Sequence, residues 1–324
     1  MLTNHVVNAI KHHELAGDNT LHVVAPISNS ARYHSRYRIF RDWADAMKAT
    51  ANVQLHVVEL AFGDRKFEVT GVDKGASELQ LRSSHELWYK ENLINLGVRH
   101  LLPTNWRYVA WVDGDVFFQT KNWALETIHQ LQHYPVVQPW SETIDMGPHG
   151  NALSMFRSFS SLVQKGVQQQ SHKDEPYPYG HSGFAWAATR NFWENVGGVM
   201  DFPILGSADH HMAWAMVGQV EKSVHQKMSA AFKRRCDEWQ ALAFRETHGH
   251  LGYVPGTLHH SFHGPKNRRY YRERWQILVD NKFDPDKDLR YDAQGLLYIV
   301  GKPKLEEDVR QYMRARHEDS IEEV

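Results

Sequence analysis

Three short runs dominated by apolar residues constrain this chain most: LHVVAPI at Leu21–Ile27, VQLHVVEL at Val53–Leu60 and YVAWV at Tyr108–Val112. A strand with one wet face alternates in polarity, whereas runs like these read as strands covered on both faces. Between the first two, Tyr37, Phe40, Trp43 and Met47 recur at three to four residue spacing, which predicts an amphipathic helix from Tyr33 to Met47. Leu87 to Leu101 reads as a second helix. The order strand, helix, strand, helix, strand dictates an α/β chain with a mostly parallel, Rossmann-like central sheet flanked by helices. Ligands of such sheets bind beyond the carboxyl ends of the strands, so the chemistry is expected there.

The chain of 324 residues with 42% hydrophobic content can bury one large core, and we read residues 1–324 as a single domain. Lys and Arg total 37 against 38 for Asp and Glu, a balance that carries no global footprint for nucleic acid, although Arg268, Arg269, Arg272 and Arg274 crowd one segment. The single cysteine, Cys236, excludes an intrachain disulfide framework and reads as inert. No run approaches the roughly 18 apolar residues of a membrane span. The first residues, MLTNHVVNAIKHHELAG, lack an unbroken apolar stretch, so a cytoplasmic protein is expected. Neither GxGxxG nor GxxxxGK[ST] occurs.

Past Trp140 the texture becomes polar, with SETIDMGPHG and QQQSHKDEPYPYG reading as loops around a weak helix from Ala152 to Gln168. Further on, a helix is expected from Asp209 to Val217. The stretch Leu305 to Val324 reads as a charged helix that frays.

Asp113-Gly114-Asp115 follows YVAWV directly. Two carboxylates one residue apart at a strand end can converge on a hard cation such as Mn²⁺ or Mg²⁺ and leave positions for substrate phosphates. The competing reading is an Asp-Gly hairpin between VAWV and DVFF. A second cluster, His259-His260-Ser261-Phe262-His263-Gly264-Pro265-Lys266, offers imidazoles for a metal, a lysine for phosphate and a glycine for close backbone approach. Asp209 stands at an expected helix start, where it serves as an N-cap, as a general base held ionised by the helix terminus, or as both. Tyr177, Tyr179, His181, Phe184, Trp186 and Trp193 supply flat faces for a sugar or base, or else core packing.

The ordered set VAWVDGDVFF, YGHSGFAWAATR, GGVMDFPILGSADHHMA and LHHSFHGPKNRRYYRERW resembles GT-A glycosyltransferases, particularly uncharacterised bacterial and phage members, over roughly Leu21 to Trp275. The resemblance implies a GT-A fold with a nucleotide-sugar-binding half over 20–140, an acceptor-side half over 141–264 and a helical C-terminal extension over 265–324. It implies that Asp113, Asp115 and His263 hold the metal, with His260 the less favoured histidine. Pro26, Ser28, Lys90, Asn92, Gly114 and Lys266 are implied on the donor side, His181, Gly183 and Trp186 on the acceptor side. Asp209 is implied as the general base of an inverting reaction.

The partners so implied are a nucleotide diphosphate-sugar, UDP-linked by preference, and an acceptor that is a glycan, a lipid-linked sugar, a protein or a modified DNA base. Two other readings compete. Asp209-His210-His211 spells the motif of DHH-type metal phosphoesterases, and the aromatic segment suits a non-catalytic sugar-binding module.

Overall fold

The first apolar run forms β1 (Leu21–Ser28), and its side chains divide by parity between two cores. Leu21, Val23, Ala25 and Ile27 enter one cluster with Trp43 and Trp123, while Val24 enters the other with Leu93 and Ile94. The strand is therefore sandwiched, which is why its sequence does not alternate. This computed structural model describes residues 20–71, 77–167, 180–271 and 273–322.

β1 pairs in parallel with β2 (Val53–Phe62) on one side and with β4 (Tyr108–Val112) on the other, and β2 pairs in parallel with β3 (Ser77–Ser83). Beyond β4 lies β9 (Ala185–Thr189), antiparallel both to β4 and to β6 (Val136–Gln138), and β10 (Gly252–Tyr253) closes the edge in parallel with β6. The seven-stranded order is β10-β6-β9-β4-β1-β2-β3. A second sheet, ordered β5-β11-β7-β8, is built from β5 (Val116–Phe118), β7 (Glu142–Met146), β8 (Ala152–Arg157) and β11 (Thr257–His260). A small ribbon of β12 (Leu289–Tyr291) and β13 (Leu297–Ile299) completes the strands described.

Helix α1 (His34–Lys48) buries Phe40, Trp43 and Met47 on one face of the large sheet. On the other face lies α2 (Lys90–Leu101), which buries Leu93, Ile94 and Leu96. It starts three residues later than its apolar spacing implies. Helices α3 (Trp123–Gln130), α4 (Phe159–Gln164), α5 (Arg190–Val196), α6 (Ala208–Met216) and α7 (Ala230–Thr247) follow in chain order. The C-terminal part carries α8 (Arg274–Asp280), α9 (Pro285–Asp288) and α10 (Pro303–Arg314). No helix among the described residues is long and apolar enough to cross a membrane.

Three expectations are corrected and one competing reading, the hairpin, is removed. The weak helix opens as a strand, because Ala152–Arg157 pairs antiparallel with β7 and leaves Leu153 and Met155 on its wet side; helix begins only at Phe159, capped by Ser158, and Gln168 lies outside the described residues. The Asp-Gly hairpin does not form, since β4 joins the large sheet while β5 pairs with β11. The cap of α6 is Ser207, in the left-handed region, so Asp209 is the second residue of the helix. The tail after α10 is fastened: Arg316 and Glu318 are buried, and the Asp319 carboxylate accepts the His34 and Ser35 amides at the start of α1.

Within the sheet, His56 is fully buried, bonded to His22 at 2.9 Å and to Ser77 at 2.8 Å, and burial lowers its pKa to about 4. The unfolded chain takes up this proton near pH 6.5 and the folded chain only near pH 4. Stability is therefore complete above about pH 6.5 and falls on acidification through that window, by on the order of 3 kcal/mol. Urea unfolding at pH 7 and pH 4.5 is expected to show the loss in wild type and a much smaller one in His56→Gln. Equal pH dependence in the two proteins contradicts this assignment.

Candidate active site

At the carboxyl end of β4 the chain passes from buried Val112 into Asp113, whose amide donates to the Phe184 carbonyl at 2.8 Å. The Asp113 carboxylate pairs with Lys90, the first residue of α2, at 2.5 Å. Burial pushes the Asp113 carboxyl up, against the pull of Lys90, while Asp115 adds like charge. Burial also disfavours charge on Lys90, but Asp113 and Asp209 outweigh it and hold the ammonium firmly protonated. The neighbouring Glu91 is driven by burial to a pKa of about 8 and bonds the Trp88 indole at 3.1 Å. At neutral pH that carboxyl is mostly protonated.

Asp115 faces the second sheet. The pairing of β11 with β5 and β7 sets His260 opposite Val116 and Asp145, and Ser261 donates its amide to the Asp115 carbonyl at 2.8 Å. His263 Nε2 lies 2.9 Å from Asp115 Oδ2 and His260 Nε2 lies 3.8 Å from it. Ligand atoms of Asp115, His260 and His263 lie within 4.8 Å of one another. Burial opposes ionisation of Asp115, yet the two imidazoles hold its carboxyl well below the usual carboxylate range. Its Oδ1 is buried without a hydrogen-bond partner.

Buried Asp145 orients this group by binding His260 Nδ1 at 2.7 Å, and it also receives Lys266 and Ser154. On the far side Arg269 reaches His263 Nε2 at 3.0 Å. Glu318, from the tail, lies 3.8 Å from His263 Nδ1 and bonds Arg36 and Arg316. Gly264, with φ +86°, lets the tail pass: a Cβ there would sit 2.7 Å from the His317 carbonyl. The glycine thus accommodates the chain's own backbone, where close approach of a diphosphate was expected.

A cleft of about 650 Å³ joins these groups to Asp209, and it is lined by Pro26, Ser28, Lys90, Asp113, Gly114, Asp115, His181, Gly183, His260, His263 and Lys266. Pro26 and Ser28 reach it from the end of β1 itself. His181 stacks on Phe184 with ring centroids 4.1 Å apart, and its Nδ1 accepts the Gly183 amide at 3.1 Å. Burial drives the His181 pKa down to about 3, although Asp209 pulls it up, so the imidazole is neutral.

A Cβ built on Gly183 would lie 2.8 Å from Asp209 Oδ2 and 2.9 Å from the His181 ring. Gly183→Ala is therefore expected to displace the Asp209 carboxylate or the His181 ring and to lower the melting temperature by a few degrees. Thermal melting of the variant checks this, and an unchanged melting temperature contradicts the packing role.

Two residues expected in the site lie elsewhere. Asn92 is buried against Gly295 and Leu297, accepting the Leu297 amide and donating to the Gly295 carbonyl, so it supports the β12–β13 connection instead of meeting a nucleoside. Trp186 is core: only 2% of it is exposed and its indole donates to the Ser182 carbonyl. Trp193 likewise packs edge-on against Trp111. Tyr177, Tyr179 and Arg272 lie outside the described residues. Among the described residues, the metal-competent group contains Asp115, His260 and His263 and neither Asp113 nor the Asp209-His210-His211 run; His211 is buried against Ser223.

No protein-family model and no curated protein matches the sequence. Among solved structures, the catalytic domain of Drosophila beta-1,4-galactosyltransferase 7 in complex with xylobiose overlays 92% of this chain and 98% of its own at 12% identity and a TM-score of 0.38. A mutant of that enzyme with manganese, UDP-Gal and xylobiose gives 91%, 98%, 11% and 0.38 in the same order. The 4-diphosphocytidyl-2C-methyl-D-erythritol synthase of Anaerococcus prevotii gives 75%, 89%, 12% and 0.34. Overlaps of this size assign neither activity nor substrate. The residues of the cleft have to.

Sequence reasoning missed Asp145, Arg269 and Glu318. Asp145 carried a weak signal, since in Glu142–Met146 it alternates inward with buried Thr143. Glu318 carried none, because its partner Arg36 is 282 positions away.

Proposed function

We propose that this chain is a divalent-metal-dependent glycosyltransferase of GT-A type that moves a sugar from a nucleotide diphosphate-sugar, by preference UDP-linked, to an acceptor hydroxyl with inversion. The observation that carries the reading is the convergence of Asp115, His260 and His263 at the end of a parallel strand, in one cleft with the separate carboxylate Asp209. One carboxylate oxygen and two imidazole nitrogens suit a first-row divalent ion, Mn²⁺ among them. The fit has two independent supports. Asp115 Oδ1 is buried and unpartnered, and Asp145 engages His260 through Nδ1, the carboxylate-to-histidine arrangement that orients a metal-ligating ring. When bound, the ion supplies charge to offset the leaving diphosphate.

The protein's own groups do the rest. Asp209 accepts the proton of the acceptor hydroxyl as that oxygen bonds the anomeric carbon and the bond to the diphosphate oxygen breaks. Gly183 admits its carboxylate, and neutral His181 beside it does not take the proton first. Lys90 places a positive charge beside Asp113 at the donor side, and Lys266 serves the diphosphate. The phosphoesterase reading loses support, because its histidines do not join the metal-competent group.

Calorimetric titration with UDP in Mn²⁺ and in EDTA tests the donor assignment. Affinity is expected to be about tenfold or more stronger with the ion. Equal affinity in both buffers, or none in either, contradicts it.

A further inference from the structure

Arg274, the first residue of α8, lines the cleft as a buried cation without a counter-charge. Only 8% of it is exposed. Its Nη2 donates to Ser207 Oγ and its Nη1 to the Tyr312 hydroxyl at 3.4 Å, while Nε is buried with no partner. Among the described residues no carboxylate oxygen lies within 4.0 Å of the guanidinium. Hydroxyls solvate a cation but do not neutralise it. Arg36 and Arg316, in the same cleft, differ, since both bond Glu318. A desolvated guanidinium left unpaired is unfavourable, and an oxyanion arriving from outside offsets that cost by bidentate pairing.

Its anchorage says which side of the cleft it serves. Ser207 caps α6, whose second residue is Asp209, and the Trp275 indole donates to the same Ser207 oxygen at 3.0 Å. Arg274 is thus tied to the loop that carries the proposed base, whereas Arg269 is tied to His263. Its guanidinium also lies over the Tyr271 ring, 5.3 Å from the centroid, an apolar wall beside the charge.

We propose that Arg274 is an anion-binding residue of the acceptor subsite, and that the acceptor carries an oxyanion, phosphate or carboxylate, near the hydroxyl that receives the sugar. This rests on the transferase reading for the word acceptor, but anion binding is measurable without turnover. The full chain is titrated calorimetrically with inorganic phosphate, and separately with acetate, in EDTA and again with saturating Mg²⁺ and UDP. Saturable binding of at least one anion is expected in both buffers. It should weaken about tenfold in Arg274→Gln, less in Arg274→Lys, which keeps the charge, and not at all in Asp115→Asn. The stronger of the two anions names the acceptor's group. Circular dichroism verifies that both Arg274 variants are folded. No saturable binding, full affinity in Arg274→Gln, or displacement by UDP, which would assign the anion to the donor diphosphate, overturns the proposal. Absence of UDP affinity with anion binding intact would instead count against the transferase reading alone.

Discussion

Replacing Asp115 by asparagine is expected to lower Mn²⁺ affinity by about a hundredfold or more and to remove metal-dependent donor binding. The reason is local. Asp115 is the anionic member of the Asp115, His260, His263 group, and without it the ion meets two imidazoles and no carboxylate of that group, beside the cation Arg269. Asparagine keeps the shape, and the backbone carbonyl that accepts the Ser261 amide is untouched, so the junction of β5 and β11 should survive. Metal titration by calorimetry, with thermal melting to verify the fold, measures this. A folded Asp115→Asn protein with wild-type Mn²⁺ affinity moves the metal elsewhere. Asp113→Asn is the informative contrast: its carboxylate pairs with Lys90 and stands outside the three-group cluster, so metal affinity should fall less than in Asp115→Asn.

Asp209→Asn is expected to lower turnover by roughly 10² to 10⁴ while leaving donor binding in place. Asparagine occupies the same space against Gly183 but takes no proton at neutral pH. No side-chain cap bond depends on it, because Ser207 occupies the N-cap position and the Asp209 side chain accepts only the adjacent His210 amide. Stability should therefore change by about 1 kcal/mol or less. Turnover within a few-fold of wild type in a folded variant, or a product with retained anomeric configuration by NMR, removes Asp209 from the role of base.

What was legible in the sequence follows from where information is local. β1, β2 and β4 announced themselves because both of their faces are covered, and parity along β1 divides between two cores. Asp113 and Asp115 were legible because carboxylates directly after a buried strand must sit at the rim of the sheet, where ligands of such sheets bind. The paired carboxylates nevertheless part company. The chain turns at Gly114 and Asp115, so Asp113 meets Lys90 on the large sheet's helix while Asp115 meets His260 at the end of β11 and His263 just beyond it. His260 and His263 were visible as a cluster, but that His260 joins the group as fully as His263 was not, since Asp145, which orients it, lies in a strand that reads as a polar loop.

Trp186 and Asn92 failed for a shared reason. A motif names residues near a site without saying which way they point, and both turn inward, where backbone carbonyls satisfy their donors. The tail failed differently: Glu318 meets Arg36 and His263 only through tertiary folding, and nothing in its neighbours encodes that distance.

That a metal held by Asp115, His260 and His263 serves donor cleavage in this cleft is tested most directly by release of nucleoside diphosphate from a panel of nucleotide-sugars. Release is followed in Mn²⁺ and in EDTA, for wild type and for Asp115→Asn. Wild type is expected to release the diphosphate from at least one donor in Mn²⁺ and to lose this in EDTA, and Asp115→Asn to show none under either condition. Release that persists in EDTA or in the folded variant, or phosphodiester cleavage in place of diphosphate release, contradicts the metal's role in donor cleavage.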